Sequence, residues 1–171
     1  MATGQIANVC VPSIMHSGTR FVLNQVLRGY KDQNLEHPEP KYPFSLYRCH
    51  ITPDAIQKLI PFMDMYPSIV PMRHPARIAK SFRDRGLSYE DYLSQWHALM
   101  ELSLVYEFVY FHIDLPSIIP YCGRAAKLLG VRQLKVDRNK KYTDHFNIDA
   151  PLEGNMDWVD EQILEFYWET I

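Results

Sequence analysis

An apolar run, Ile6 to Val11, stops at Pro12, and a short loop ending His16-Ser17-Gly18-Thr19-Arg20 then opens a helical pattern carrying Phe21, Val22, Gln25 and Val26. Strand, small-residue loop and helix in that order leave few options, because the loop must turn the chain at a sheet end and start a helix facing back. The first N–H groups of such a helix have no intrahelical partner, and the helix dipole adds positive charge at that end. Together they make a place for an anion. Gly18 lets the backbone approach closely, and Ser17 and Thr19 add hydroxyl donors. The spacing Gly-x-x-x-x-Gly-Lys-Ser/Thr, with the lysine that reaches the outer phosphates of ATP, is missing. The expected anion is therefore a phosphate, and a nucleoside triphosphate is disfavoured. Alone, Ser, Gly and Thr are ordinary capping and turn residues, so the loop needs a second feature to carry an assignment.

Ser68-Ile69-Val70-Pro71-Met72 again reads as a short apolar strand, and it delivers Arg73 into a turn. Pro75 suits the first turn of a helix, which brings Ser81 round two turns later. An arginine at a strand end and a serine on the next helix can grip one phosphate through a charged fork and a hydroxyl. Between these segments Phe44 to His50 is strand-like, and Tyr47-Arg48-Cys49-His50-Ile51-Thr52-Pro53 sets a histidine at the strand's end. A neutral imidazole near pH 7 is suited to take a proton there. Cys49 points to the opposite face of the strand, which rules out a Cys–His nucleophile.

These three segments together resemble the sulfotransferases that use 3′-phosphoadenosine 5′-phosphosulfate (PAPS). That family has a Lys/Arg-Ser-Gly-Thr loop for the 5′-phosphosulfate and a Thr-His-Leu-Pro segment with its catalytic histidine. It also has an arginine eight residues before a serine for the 3′-phosphate. Here the loop is His16-Ser17-Gly18-Thr19-Arg20-Phe21, the histidine is His50, and the pair is Arg73 and Ser81. The resemblance spans roughly the first half of the chain. It implies a P-loop-like three-layer fold, PAPS as donor, and transfer of its sulfuryl group to a hydroxyl or amine of a small molecule, glycan or peptide. It also implies roles for the residues. Ser17, Gly18, Thr19 and Arg20 hold the 5′-phosphosulfate, Phe21 packs on adenine, and Arg73 with Ser81 holds the 3′-phosphate. His50 is the base, His16 assists the leaving oxygen, and no metal is needed.

His16 stands at the family's Lys/Arg position, and an imidazole with an ordinary pKa near 6.5 is charged only conditionally at neutrality. Arg20 is the neighbour expected to make up that charge. The family's later basic, glycine-containing loop has no counterpart, since Arg138-Asn139-Lys140-Lys141 lacks the glycine. Two other readings stay open. One is a sulfotransferase-like module that keeps a nucleotide or phosphate pocket without chemistry. The other is a divergent nucleotide kinase, which the missing lysine disfavours.

The rest of the sequence agrees with a small enzyme. Its 171 residues make one domain, 1–171, large enough for a real core, and 47% hydrophobic with 22% charged residues is ordinary globular material. A formal net charge of −2 gives no reason to expect nucleic acid or a membrane as partner. Cys10, Cys49 and Cys122 are scattered without paired spacing, which favours reduced thiols and a cytoplasmic location. No signal-like or membrane-spanning run is expected, and the histidines lack metal-ligand spacing.

Further along, Thr52 should cap a helix with Ile56, Leu59, Ile60 and Met63 inward, and Ser88 a helix with Tyr89, Leu93, Trp96 and Met100 on one stripe. Asp84, Glu90, Asp91 and Glu101 read as solvated helix faces. Phe108 to Ile113 reads as a buried strand, Leu115 to Leu129 as a helix and Leu134 to Val136 as a last strand. Val159, Ile163, Phe166 and Tyr167 mark a C-terminal helix. Strands separated by helices predict an α/β fold, a largely parallel central sheet flanked by helices, with the site at the strands' C-terminal ends.

Overall fold

The structure is a computed structural model and describes residues 8–19, 31–34, 45–114 and 156–171. Strand β1 (Asn8–Ser13) runs through Pro12 instead of stopping there. It is followed by β2 (Lys31–Asn34), β3 (Ser45–His50), α1 (Pro53–Met63), β4 (Ser68–Met72), α2 (Pro75–Asp84), α3 (Tyr89–Ser103) and β5 (Phe108–His112). A single 3-10 turn, Met156–Trp158, leads into α4 (Glu161–Glu169). The expected helix 115–129 and strand 134–136, together with Arg20, Phe21, Cys122 and the basic stretch 132–141, lie outside the described residues.

The five strands form one sheet in the order β2-β3-β1-β4-β5, and every pairing is parallel. Both faces are buried. Cys10, Tyr47, Cys49, Val70, Met72 and Phe108 belong to the core on the side of the described helices, while Val9, Val11, Leu46, Ile69 and Phe111 are buried as well. Burial on two sides is the condition under which a parallel sheet is stable, and the arrangement is consistent with a three-layer P-loop-like α/β fold.

The chain leaves β1 toward β2 on one side, whereas it leaves β4 toward β5 on the other. Neighbouring strands whose continuations diverge leave a crevice at their carboxyl ends, where ligands of open α/β sheets bind. The β1–β4 seam is also short of hydrogen bonds. Cys10 pairs with Ser68 and its N–H donates to the Pro67 carbonyl at 2.9 Å. The next donors across that seam are Pro12 on β1 and Pro71 on β4, and neither has an N–H.

Caps and stripes follow the sequence with two adjustments. Thr52 occupies the N-cap position of α1, but its side chain makes no capping bond; Pro53 at N1 has no N–H to satisfy. On α3, Ser88 caps through a 3.0 Å bond from the Asp91 N–H, yet the buried stripe is Tyr92, Gln95, Trp96 and Leu99. Tyr89 is exposed, and Leu93 and Met100 are half-buried. The helix is rotated by about one position because a polar residue, Gln95, is needed inside. Asp84, Glu90, Asp91 and Glu101 are exposed as expected. In α4, Asp160 caps Ile163 at 2.8 Å, and Ile163 and Tyr167 face inward.

Trp96 is fully buried and has Tyr92 and Phe166 edge-on to it. Trp96→Ala should therefore cost about 3–5 kcal/mol of unfolding free energy, by loss of transfer energy and the cavity left behind, read as a lowered urea midpoint at unchanged slope.

Candidate functional site

The loop after β1 is built backward from its packing. Ser17 N–H donates to the Ile14 carbonyl at 3.1 Å, closing a tight turn. His16 lies in that turn at φ 63°, a left-handed conformation uncommon for a residue with a side chain. Gly18 follows at φ 98°, and a Cβ there would lie 2.4 Å from Ile113 Cδ1. Only glycine fits. Positive φ on either side of Ser17 is the alternating backbone pattern of anion-binding concavities. The loop is held from α3, where the buried Gln95 accepts the Met15 N–H at 2.8 Å. Thr19 takes up helical backbone and is half-buried.

Two polar atoms in this loop, His16 Nε2 and Ser17 Oγ, are buried and have no hydrogen-bond partner among the described residues. Each would cost about 1–3 kcal/mol if left unsatisfied. Orphans of this kind in adjacent residues are satisfied by a bound ligand or by water. His16 has the ring of Phe82 edge-on at 5.5 Å. Its pKa is pushed down to about 4, first by burial and then by the nearby charges of Arg85, His50 and Arg73. At neutral pH the imidazole is therefore uncharged in the free protein, and it can offer an N–H but no net positive charge.

His50 ends β3 opposite Ser13, and the ladder is extended by Ile51 N–H donating to the Ser13 carbonyl at 2.9 Å. That register brings His50 near enough to His16 to act on its charge. Cys49 is buried while His50 is half-buried, as opposite faces require. The Cys10 thiol is pushed up to about 12 by burial and by Cys49, so it is no nucleophile.

Arg73 sits in the turn after β4, and Asp114 holds that turn. One carboxylate oxygen of Asp114 accepts from Arg77 Nη1 at 2.9 Å and lies 3.8 Å from Arg73 Nε; the other accepts the His74 N–H. His74 in turn caps α2 by accepting the Ala76 N–H on its Nδ1 at 3.2 Å. Burial lowers the pKa of Arg73, with Asp114 opposing that and Arg77 adding to it. Arg73 and Arg77 thus meet around one carboxylate at the end of β4. Ser81 is half-buried on α2. It lies seven residues past His74, about 10 Å along the helix axis, so a phosphate touching both needs Arg73 laid along α2.

Of the site residues named from sequence, the structure gathers His16, Ser17, Gly18, His50 and Arg73 at the ends of β1, β3 and β4. Thr19 follows with helical backbone, Ser81 stands further along α2, and Arg20 and Phe21 lie outside the described residues. Gln95, Asp114 and Arg85 were missed, and no local signal marks them. Among the described residues no group of His, Cys, Asp and Glu side chains is placed to hold a metal ion, and no helix is long and apolar enough to cross a membrane. No protein-family model, curated protein or solved structure matches the chain, so the function has to be read from the site itself.

Two outcomes follow from this geometry. Gly18→Ala should destabilise the fold by roughly 2–4 kcal/mol through backbone strain and the clash with Ile113, measurable by chemical denaturation. His16 protonates near 6.5 when unfolded and only near about 4 when folded. Its contribution to stability is thus intact above about pH 6.5 and is withdrawn as pH falls toward 4. The unfolding midpoint should drop across that window, and His16→Gln should lose that part of the drop.

Proposed function

We propose that the chain binds the phosphosulfate nucleotide PAPS at the β1–β4 crevice and transfers its sulfuryl group to a hydroxyl or amine acceptor on a small molecule, glycan or peptide. The observation that carries this reading is the pair of unpartnered buried atoms, His16 Nε2 and Ser17 Oγ, in a left-handed turn at the topological switch of a parallel sheet. An oxyanion placed there meets a hydroxyl and an imidazole N–H in a site shielded from water, where preformed donors count for most. Arg73, one strand away, supplies charge for a second phosphate, with Ser81 on α2.

His50 stands at the mouth of the same crevice as the base. The acceptor oxygen or nitrogen attacks sulfur as its proton passes to the imidazole of His50. The bond from sulfur to the bridging oxygen breaks, and adenosine 3′,5′-bisphosphate leaves. His16, neutral in the free protein, donates a hydrogen bond toward the bridging oxygen as charge develops on it. One observation favours a second reading, a nucleotide-binding module without chemistry. It is that His16 gives no permanent charge where sulfuryl transfer asks for one.

Calorimetric titration with adenosine 3′,5′-bisphosphate, AMP and ATP tests the binding half. The bisphosphate should bind best. Equal affinity for AMP would remove the 3′-phosphate role of Arg73 and Ser81, and tight Mg-dependent ATP binding would favour a kinase. The chemistry is read from labelled PAPS offered to phenols, sugars, amines and peptides. His50→Gln should slow transfer by roughly two to four decades while leaving bisphosphate affinity nearly unchanged. Tight binding with no transfer or hydrolysis by the wild type would leave the binding module standing.

A further inference from the structure

Helix α2 ends in a six-to-one cap. Leu87 N–H donates to the Phe82 carbonyl and Gly86 N–H to the Arg83 carbonyl, both at 3.0 Å, with Gly86 left-handed at φ 67°. This closure fixes Arg85 at the cap position. Phe82 sits one turn earlier and has its ring against His16 at 5.5 Å. Residues three apart on a helix share a face, so Arg85 is carried to the same imidazole. Electrostatics agrees, since among the described charges Arg85 acts most on His16, ahead of His50 and Arg73.

The other arginines nearby are engaged. Arg73 and Arg77 share Asp114. Arg83 lies 3.6 Å from Asp157 and over the Trp158 ring at 5.0 Å. Among the described residues no ion pair is made by Arg85, whose side chain is exposed. A cation with no counter-ion among the described residues, beside a buried loop with two polar atoms unsatisfied among them, is placed for a ligand anion.

Resting on the nucleotide reading above, we propose that Arg85 is a further binding residue of the site, gripping the 5′-phosphoryl or sulfuryl oxygens held by the His16–Gly18 loop and supplying the permanent positive charge that His16 does not. The charge thus arrives from the end of α2. A guanidinium offers two donors to an oxyanion where an ammonium is a point charge. An anion lying between Arg85 and His16 also screens the repulsion between them, so binding should raise the His16 pKa.

The test compares wild type, Arg85→Gln and Arg85→Lys by calorimetry with three probes, AMP, adenosine 3′-monophosphate and adenosine 3′,5′-bisphosphate. It follows the His16 imidazole by NMR. Arg85 is an exposed cap residue, so both variants should fold. Arg85→Gln should weaken AMP and the bisphosphate by about ten- to a hundredfold and leave the 3′-monophosphate unchanged, with Arg85→Lys in between. The free His16 pKa should rise in Arg85→Gln, and the rise on adding AMP that wild type shows should shrink. If wild type binds these probes and Arg85→Gln binds them equally well, Arg85 is not in the site although the nucleotide reading survives. Equal weakening of all three probes would show a diffuse field effect and overturn the assignment. If wild type binds none of them, the nucleotide reading falls and Arg85 with it.

Discussion

The site is organised around a side chain that is not there. Gly18, at the end of the β1 loop, lies so close to Ile113 that a methyl group would sit 2.4 Å from its Cδ1. Ile113 follows β5, two strands away from β1, so this contact reaches across the end of β4. The residue after Ile113 is Asp114, whose carboxylate holds the β4–α2 turn through His74, Arg77 and, more loosely, Arg73. One short piece of chain thus sets the anion loop and the arginine turn relative to each other. Gln95 secures the loop from the other side, by a bond spanning 80 residues. The price is a buried polar side chain in the middle of a core stripe.

Charge at the crevice is arranged by subtraction as much as by addition. His16, His50, Arg73 and Arg85 are near one another, and burial, with these neighbours adding to it, keeps His16 uncharged at neutral pH. Asp114 holds both Arg77 and, at 3.8 Å, Arg73 at the end of β4. An anion placed among these groups would relieve the repulsion that the arginines exert on a protonated His16.

Much of this was legible in the sequence, and the failures have physical causes. β4 is an apolar run and β3 a strand-like one, so Arg73 and His50 could be placed at strand ends, whereas β1 carries on through the Pro12 at which it was expected to stop. Pro53, Pro75 and Ser88 mark helix starts, and α1, α2 and α3 begin there. Strand β2 was invisible because Lys31-Asp32-Gln33-Asn34 has no apolar alternation; it is an edge strand held to β3 by its backbone. The α3 stripe was misplaced by one residue because hydrophobicity cannot foresee that Gln95 turns inward to a loop 80 residues away. Asp114, 37 residues from Arg77 and 40 from His74, and Arg85 are ordinary charged residues until the fold brings them to the crevice.

Pro12 and Pro71 face each other across the β1–β4 seam, and this has a consequence for how the molecule can breathe. The sheet is mechanically two ribbons, β2-β3-β1 and β4-β5, stitched at Cys10–Ser68 and lacking the donors for further stitches above it. The anion loop and His50 ride on the first ribbon, while Arg73 rides on the second. Their separation is governed by side-chain contacts such as Gly18 against Ile113, which yield more gradually than a hydrogen-bonded ladder. The gap between the ribbons is thus set by packing at its open end and not by the backbone ladder.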